Sequence, residues 1–201
     1  MNKNEVIKNF NLNKEECRII DFFIFELNKT NLYLNLVGKS TMLDPWDRHI
    51  CDSLQLTQYI KSKYSTILDL GTGAGIPGMI LAIIGYKKIT MVESKTKKTE
   101  FIKKFVVKYG LKTKIVNTRI ETLKLKQHNY IICRALAPLG NILNYALFFS
   151  NNKTTLVLLK GKNVKKEIIE ARKKFSFIYR LCKSKSSGGG FVLIINNFSK
   201  K

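Results

Sequence analysis

The sequence predicts an α/β fold: a mostly parallel seven-stranded sheet carrying an N-terminal helical extension. Three observations predict it. From Ser65 onward, short β-rich runs alternate with glycine loops and helical patterns; the last two such runs face each other across a Ser/Gly segment; and the residues before Ser65 have helical periodicity.

In chain order, Asn13 to Asn28 carries its apolar residues at Ile19, Ile20, Phe23 and Leu27, the spacing of one helix face. Pro45 to Ile60 repeats the pattern with Trp46, Ile50, Leu54 and Ile60. Between them, NLYLNLVGKS alternates and reads as extended chain or loop. These segments are expected to form a cap over residues 1–62, leaving residues 63–201 as the α/β domain. That domain reads as strand STILDL and helix IPGMILAIIG, strand KITMVE and helix KTKKTEFIKKFVVKYG, then strand KTKIVN. Strand NYIICRAL with helix PLGNILNYALFFS follows, then strand TTLVLLKG with helix NVKKEIIEARKKF. Such units make a parallel sheet with right-handed crossovers. FSFIYRLCK and FVLIINNF, parted only by SKSSGGG, read as an antiparallel hairpin. Five parallel strands closed by a hairpin is the plan of the Rossmann-like class I methyltransferases, whereas dinucleotide-dependent dehydrogenases usually end on another parallel unit.

A chain of 201 residues with 45% hydrophobic content holds one domain with a proper core and an appendage. No apolar h-region opens the sequence and Ile19 to Leu27 is interrupted by Asp21 and Glu26, so a cytoplasmic protein without a membrane partner is expected. Cys17, Cys51, Cys133 and Cys182 lie far apart without a C-x-x-C pair, which suggests neither a metal site nor a disulfide framework. The formal charge of +22, from 36 Lys+Arg against 14 Asp+Glu, would attract a polyanion, nucleic acid first. Part of that excess reads instead as a drift towards Lys on solvated faces. Against the lysine background the chain has only Arg18, Arg48, Arg119, Arg134, Arg172 and Arg180. Because lysine cannot replace arginine's planar fork, arginines inside motifs are the better candidates for function.

Asp69-Leu70-Gly71-Thr72-Gly73-Ala74-Gly75-Ile76-Pro77-Gly78 follows a strand and opens a helix, so its backbone can pass close to a ligand. Gly73, Gly75 and Gly78 also satisfy G-x-G-x-x-G, which brings a nicotinamide cofactor into consideration. Asp69 favours a cationic cofactor: a carboxylate there repels a pyrophosphate and suits the ammonium and sulfonium of S-adenosylmethionine. Glu93, ending the second strand, is placed to accept ribose hydroxyls in either case. The plain alternative for both carboxylates is capping of the helices that follow. Arg119-Ile120-Glu121 follows the third strand, where Glu121 meets an adenine edge or complements a helix dipole.

Amino-directed nucleic-acid methylases carry Asn/Asp-Pro-Pro-aromatic at the end of the fourth strand; this chain has Cys133-Arg134-Ala135-Leu136. A Pro-Cys nucleophile is absent too, and Cys133 reads as a small buried hydrophobe. Arg134 is a positioning candidate that would bond an acceptor such as guanine O6, or a carboxylate in the pocket. The alternative is a brace to Asp69 or Glu121. No catalytic acid or base is identified. Guanine N7 presents an in-plane lone pair, so alignment alone can supply the rate.

These motifs in order, LNLVGKS, RHICDSL, DLGTGAGIPG, VESKTKKTEFIKKF, TRIE, CRALAPL and LLKG, resemble the bacterial 16S ribosomal RNA guanine-N7 methyltransferases, the glucose-inhibited division protein B family, from about Leu34 to Gly161. The resemblance implies methylation of one guanine in the decoding region of the small ribosomal subunit, with S-adenosylmethionine as cofactor and 16S rRNA or the subunit as partner. It also implies that Gly71, Ile76, Ile120, Glu121 and Arg134 line the cofactor pocket beside Asp69, Gly73 and Glu93. Arg48, His49, Arg119 and Lys160 would lie nearer the RNA. A monomer is expected. His49 without the resemblance reads as a structural histidine. The chain departs from the family at Gly188-Gly189-Gly190, where an Arg/His pair is usual, and at Leu136-Ala137-Pro138, where Phe-Ala-Ser is usual. Competing readings are a nicotinamide-dependent reductase, a small-molecule methyltransferase, and a catalytically silent RNA-binding or ribosome-assembly factor.

Overall fold

The computed structural model describes residues 1–201. Its sheet comprises β1 (Thr66–Leu70), β2 (Lys88–Glu93), β3 (Thr113–Asn117), β4 (Tyr130–Arg134), β5 (Thr155–Lys160), β6 (Phe175–Lys183) and β7 (Phe191–Lys200). Their order is β3-β2-β1-β4-β5-β7-β6. β1 to β5 run parallel, while β7 is antiparallel to both β5 and β6, as the Ser/Gly-linked hairpin predicts. The order reverses between β1 and β4, the switch point where open α/β sheets leave a crevice at their carboxyl ends.

The helices are α1 (Lys3–Phe10), α2 (Lys14–Asn31), α3 (Asp52–Leu54), α4 (Gly78–Ile83), α5 (Thr96–Lys108), α6 (Leu139–Leu147) and α7 (Val164–Arg172). Strand alternation sorts them into two layers. Ile67, Met91 and Ile132 point to one face, where they join Ile20, Phe23, Leu27, Ile50 and Leu54 of the extension and Met79 and Ile102 of α4 and α5. Leu68, Leu70, Val92, Ile131 and Cys133 point to the other, against α6 and α7. The extension thus shares one core with α4 and α5. Each fully buried Ile or Leu there contributes about 1.5–3 kcal/mol.

Local sequence sets the starts of the first two helices. α2 starts on an Asn13/Glu16 capping box and runs three residues beyond the predicted Asn28. At its end Asn31 Oδ1 accepts from the Leu36 and Val37 amides and Nδ2 donates to the Val37 carbonyl, so one side chain shapes the NLYLNLVGKS segment into a loop. The helix predicted over Pro45–Ile60 is one helical run with three hydrogen-bond patterns: wide π-type turns over Trp46–Cys51, then α3, then a 3-10 turn over Gln55–Gln58. No helix is long and apolar enough to cross a membrane.

Candidate active site

A cleft of about 1290 Å³ opens at the carboxyl ends of the parallel strands. Its walls are the loop after β1, the ends of β2 to β5, the Leu36–Gly38 loop, the helical run at Arg48 and Asp52, and the Ser184–Gly190 loop. Of the sequence candidates, Gly71, Gly73, Ile76, Glu93, Arg119, Ile120, Glu121, Arg134, Arg48 and Lys160 all line it. Asp69 and His49 do not.

Asp69 is fully buried beneath the glycine loop. Its Oδ2 accepts from the Thr72 hydroxyl at 2.5 Å and from the Gly78 amide, the first residue of α4, at 2.9 Å. This corrects the expectation of direct contact with a cationic ligand: the carboxylate clasps the loop and caps α4, and its charge acts from below. Oδ1 has no partner. Burial pushes the carboxyl up to about 6, against the pull of its two hydrogen bonds and of Arg134. Above this brace, Gly71 holds a φ of 63° with the Leu136 side chain filling the space a Cβ would need, so the chain passes flush against the cleft.

Glu93 ends β2 with 8% exposure. Its Oε2 accepts from the Gly73 amide at 3.1 Å and its Oε1 from the Lys95 amide at 2.8 Å, which links the two loops on either side of the cleft floor. Glu121 stands exposed after β3, with the Tyr145 hydroxyl donating to it at 2.9 Å; its own backbone amide and then that bond hold its carboxyl below the ordinary range.

Arg134 shares the sheet face of Ile132 and therefore meets the extension. Nη1 donates to the Arg48 carbonyl at 2.9 Å, Nη2 bonds His49 Nδ1 at 2.8 Å, and Asp52 Oδ2 lies 3.9 Å away. The brace to Asp69 or Glu121 that the sequence allowed is replaced by one to the helical run. Ala135, next in the chain, takes a φ of 50°, a left-handed conformation that costs a non-glycine residue about 1 kcal/mol and turns the backbone out of the sheet.

His49, expected nearer a nucleic-acid surface, is 1% exposed beneath the cleft wall. Arginine only donates, so Nδ1 accepts and the ring proton sits on Nε2, which has no partner. Burial, with the Arg134 and Arg48 charges, pushes the imidazole down to about 3. An unfolded histidine takes its proton near 6.5, so acid favours the unfolded chain from about pH 6.5 downward, by at most about 1.4 kcal/mol per pH unit. His49→Asn keeps an acceptor for Arg134 and removes the titration. Urea unfolding of both proteins between about pH 7 and pH 4.5 should show wild type losing more stability than the variant. An equal loss would mean that His49 is not held neutral. The Asp69 contribution has the opposite sign in this window and cancels from the difference.

Lys160, at the end of β5, is committed to Glu167 at 2.6 Å and to the Ala137 carbonyl at 3.0 Å, with its side chain 8% exposed. Arg48 is half-buried and lies flat on Gly188: a Cβ there would sit 2.8 Å from the guanidinium carbon, so this glycine makes room for an arginine from another element. Arg119 remains exposed at the rim. The Ser184–Gly190 loop is clasped to the helical run, where Asp52 Oδ1 accepts from Ser184 and Ser186, Asp47 Oδ2 from the Ser187 amide and hydroxyl, and Gln55 Oε1 from the Lys185 amide. Sequence reading missed Asp47, Asp52, Gln55, Tyr145 and Glu167. RHICDSL contained Asp52, but nothing local to it pointed at a partner beyond residue 130. No cluster of His, Cys, Asp and Glu is arranged to hold a metal.

Residues 16–188 match the family model described as rRNA small subunit methyltransferase G. The chain is 38% identical over 181 residues to the ribosomal RNA small subunit methyltransferase G of Rickettsia prowazekii (strain Madrid E), covering 90% of this chain and 94% of the relative. It is 37% identical over 187 residues to the protein of the same name from Orientia tsutsugamushi (strain Ikeda), with 93% of each covered. The fold is similar to that of the glycopeptide N-methyltransferase MtfA, solved with S-adenosyl-L-homocysteine, at a TM-score of 0.62 and 8% identity over 73% of this chain and 89% of that one.

Proposed function

The chain belongs to the rRNA small subunit methyltransferase G family, and from that membership we propose that it methylates N7 of a guanine in the decoding-region loop of 16S rRNA, with S-adenosylmethionine as donor. When bound, the donor supplies an electrophilic methyl group on a sulfonium. Two features of the cleft fit it. The unpartnered, buried Asp69 oxygen sets a negative potential beneath the loop, and Gly73 faces open space that a side chain would otherwise enter. Glu93 would accept the ribose hydroxyls, Ile76 and Ile120 would offer apolar contact, and Glu121 would face the adenine edge.

The observation that carries the N7 reading is that the carboxylates lining the cleft are already engaged. Asp52 is held by serines and Gln55, Glu93 by backbone amides, Glu121 by Tyr145, and Glu167 by Lys160 and the Leu139 amide. His49 is neutral and out of reach. Such a site is poorly supplied with a base to deprotonate an exocyclic amine, whereas N7 needs none. Its work is alignment. Arg134, with two of its five N–H donors taken by Arg48 and His49, keeps others for the O6 of a guanine seated in the cleft.

The test is incubation with methyl-labelled S-adenosylmethionine and small subunits from cells lacking the enzyme, followed by borohydride and aniline treatment of the RNA. One strand cleavage at a single guanine is expected. Label without cleavage would remove N7 as the acceptor, and tight RNA binding without label would leave a silent RNA-binding factor.

A further inference from the structure

A second groove, of about 580 Å³, lies between α2 and α5 on the face away from α6 and α7. Its floor is aromatic: Phe22, Phe101 and Phe105 line it, and Tyr33 stands over it at 77% exposure. Its rim is cationic, with Lys29, Lys97, Lys104 and Lys108 against two carboxylates, Glu26 and Glu100. None of the four ammonium groups forms an ion pair with a carboxylate. Lys108 instead sits 3.8 Å above the Phe22 ring.

The groove adjoins the cleft. Leu34 lines the groove, while Leu36 and Val37 line the cleft; at the start of α5, Lys97 faces the groove and Lys98 the cleft. A polymer leaving the cleft at this corner meets the groove next. Unpaired lysines suit phosphates, and the exposed Tyr33 ring offers a stacking partner to any base. An apolar protein segment would bury the four ammonium groups without partners, at a cost that phosphates do not impose. Resting on the reading of RNA as substrate, we propose that this groove is a second RNA site, which stacks and holds single-stranded nucleotides flanking the target base.

The probe is a fluorescein-labelled single-stranded oligoadenylate, which has no guanine to engage the cleft, with binding followed by anisotropy over a salt series. Changing Lys29, Lys97, Lys104 and Lys108 together to Gln is expected to weaken binding roughly tenfold or more, and to lower the salt slope by about one for each lysine on a phosphate. The same charge removed from Lys61, Lys87, Lys88 and Lys112, exposed around the amino ends of β1, β2 and β3, should change affinity far less. Tyr33→Ala should weaken binding by roughly fivefold or more with the salt slope unchanged. Equal losses for the two lysine sets, or unchanged binding by Tyr33→Ala, overturn the proposal and leave the aromatic floor to a protein partner. A wild-type protein that binds oligoadenylate through the groove yet methylates no ribosomal RNA would sink the activity and keep the groove.

Discussion

Arg134→Ala is expected to lower kcat/KM by about a hundredfold or more and to reduce stability by on the order of 3 kcal/mol. The loss of stability comes from what stays behind: the Arg48 carbonyl and His49 Nδ1 lose their donor, and Asp52, its side chain 17% exposed, loses its nearest cation. The rate falls because the guanidinium is the one cleft group fixed on two sides by the extension while presenting free N–H donors. Arg134→Lys separates the two effects. A point charge restores the attraction to Asp52 but cannot span both acceptors, so part of the stability should return without the rate. Urea midpoints and single-turnover kinetics on small subunits check this. An Arg134→Lys enzyme with wild-type turnover would show that charge alone suffices.

Asp69 gives the second large effect. Asp69→Ala strips the acceptor from the Gly78 amide and the Thr72 hydroxyl, both buried, and should cost about 2–4 kcal/mol and at least about tenfold in S-adenosylmethionine affinity. Asp69→Asn keeps an oxygen for both donors and removes the charge. Burial raises the folded carboxyl to about 6, above its unfolded value near 3.9, so the ionised form opposes folding above pH 6 and that opposition fades as pH falls. The asparagine variant should therefore be at least as stable as wild type at pH 8 and lose the advantage in acid. If its cofactor affinity, measured by calorimetry at pH 8, also falls about tenfold, the negative potential beneath the loop contributes to binding. Unchanged affinity would reduce Asp69 to a clasp.

The strands were legible in the sequence because their signals are local. Alternation marked β1 to β5, and SKSSGGG between two β-rich runs marked the hairpin. Local position also marked Glu93 and Arg134, each the last residue of a strand whose carboxyl end faces the cleft. Asp69 was read at the right place with the wrong contact: a carboxylate one residue short of its strand's end falls beneath the loop, and only packing reveals that. The partners of Arg134 lie 85 and 86 residues away on a helical run that periodicity marks as a helix without saying what its polar face meets. Lys160 and Arg48 show the same limit. Their charge was visible, but the pairing that commits one to Glu167 and lays the other on Gly188 joins different elements.

The clasp between Asp52 and Ser184 joins side chains 132 residues apart. During synthesis, the glycine loop and its buried carboxylate emerge early and can pack against α4 as soon as β1 and β2 pair. The rim opposite them does not exist until the final hairpin has been made and folded back onto the extension. Contacts so distant in sequence form late because closing the intervening chain costs entropy before they repay it. A growing polypeptide thus has the glycine loop before the opposite rim, and the cleft gains both walls only once the hairpin has folded back.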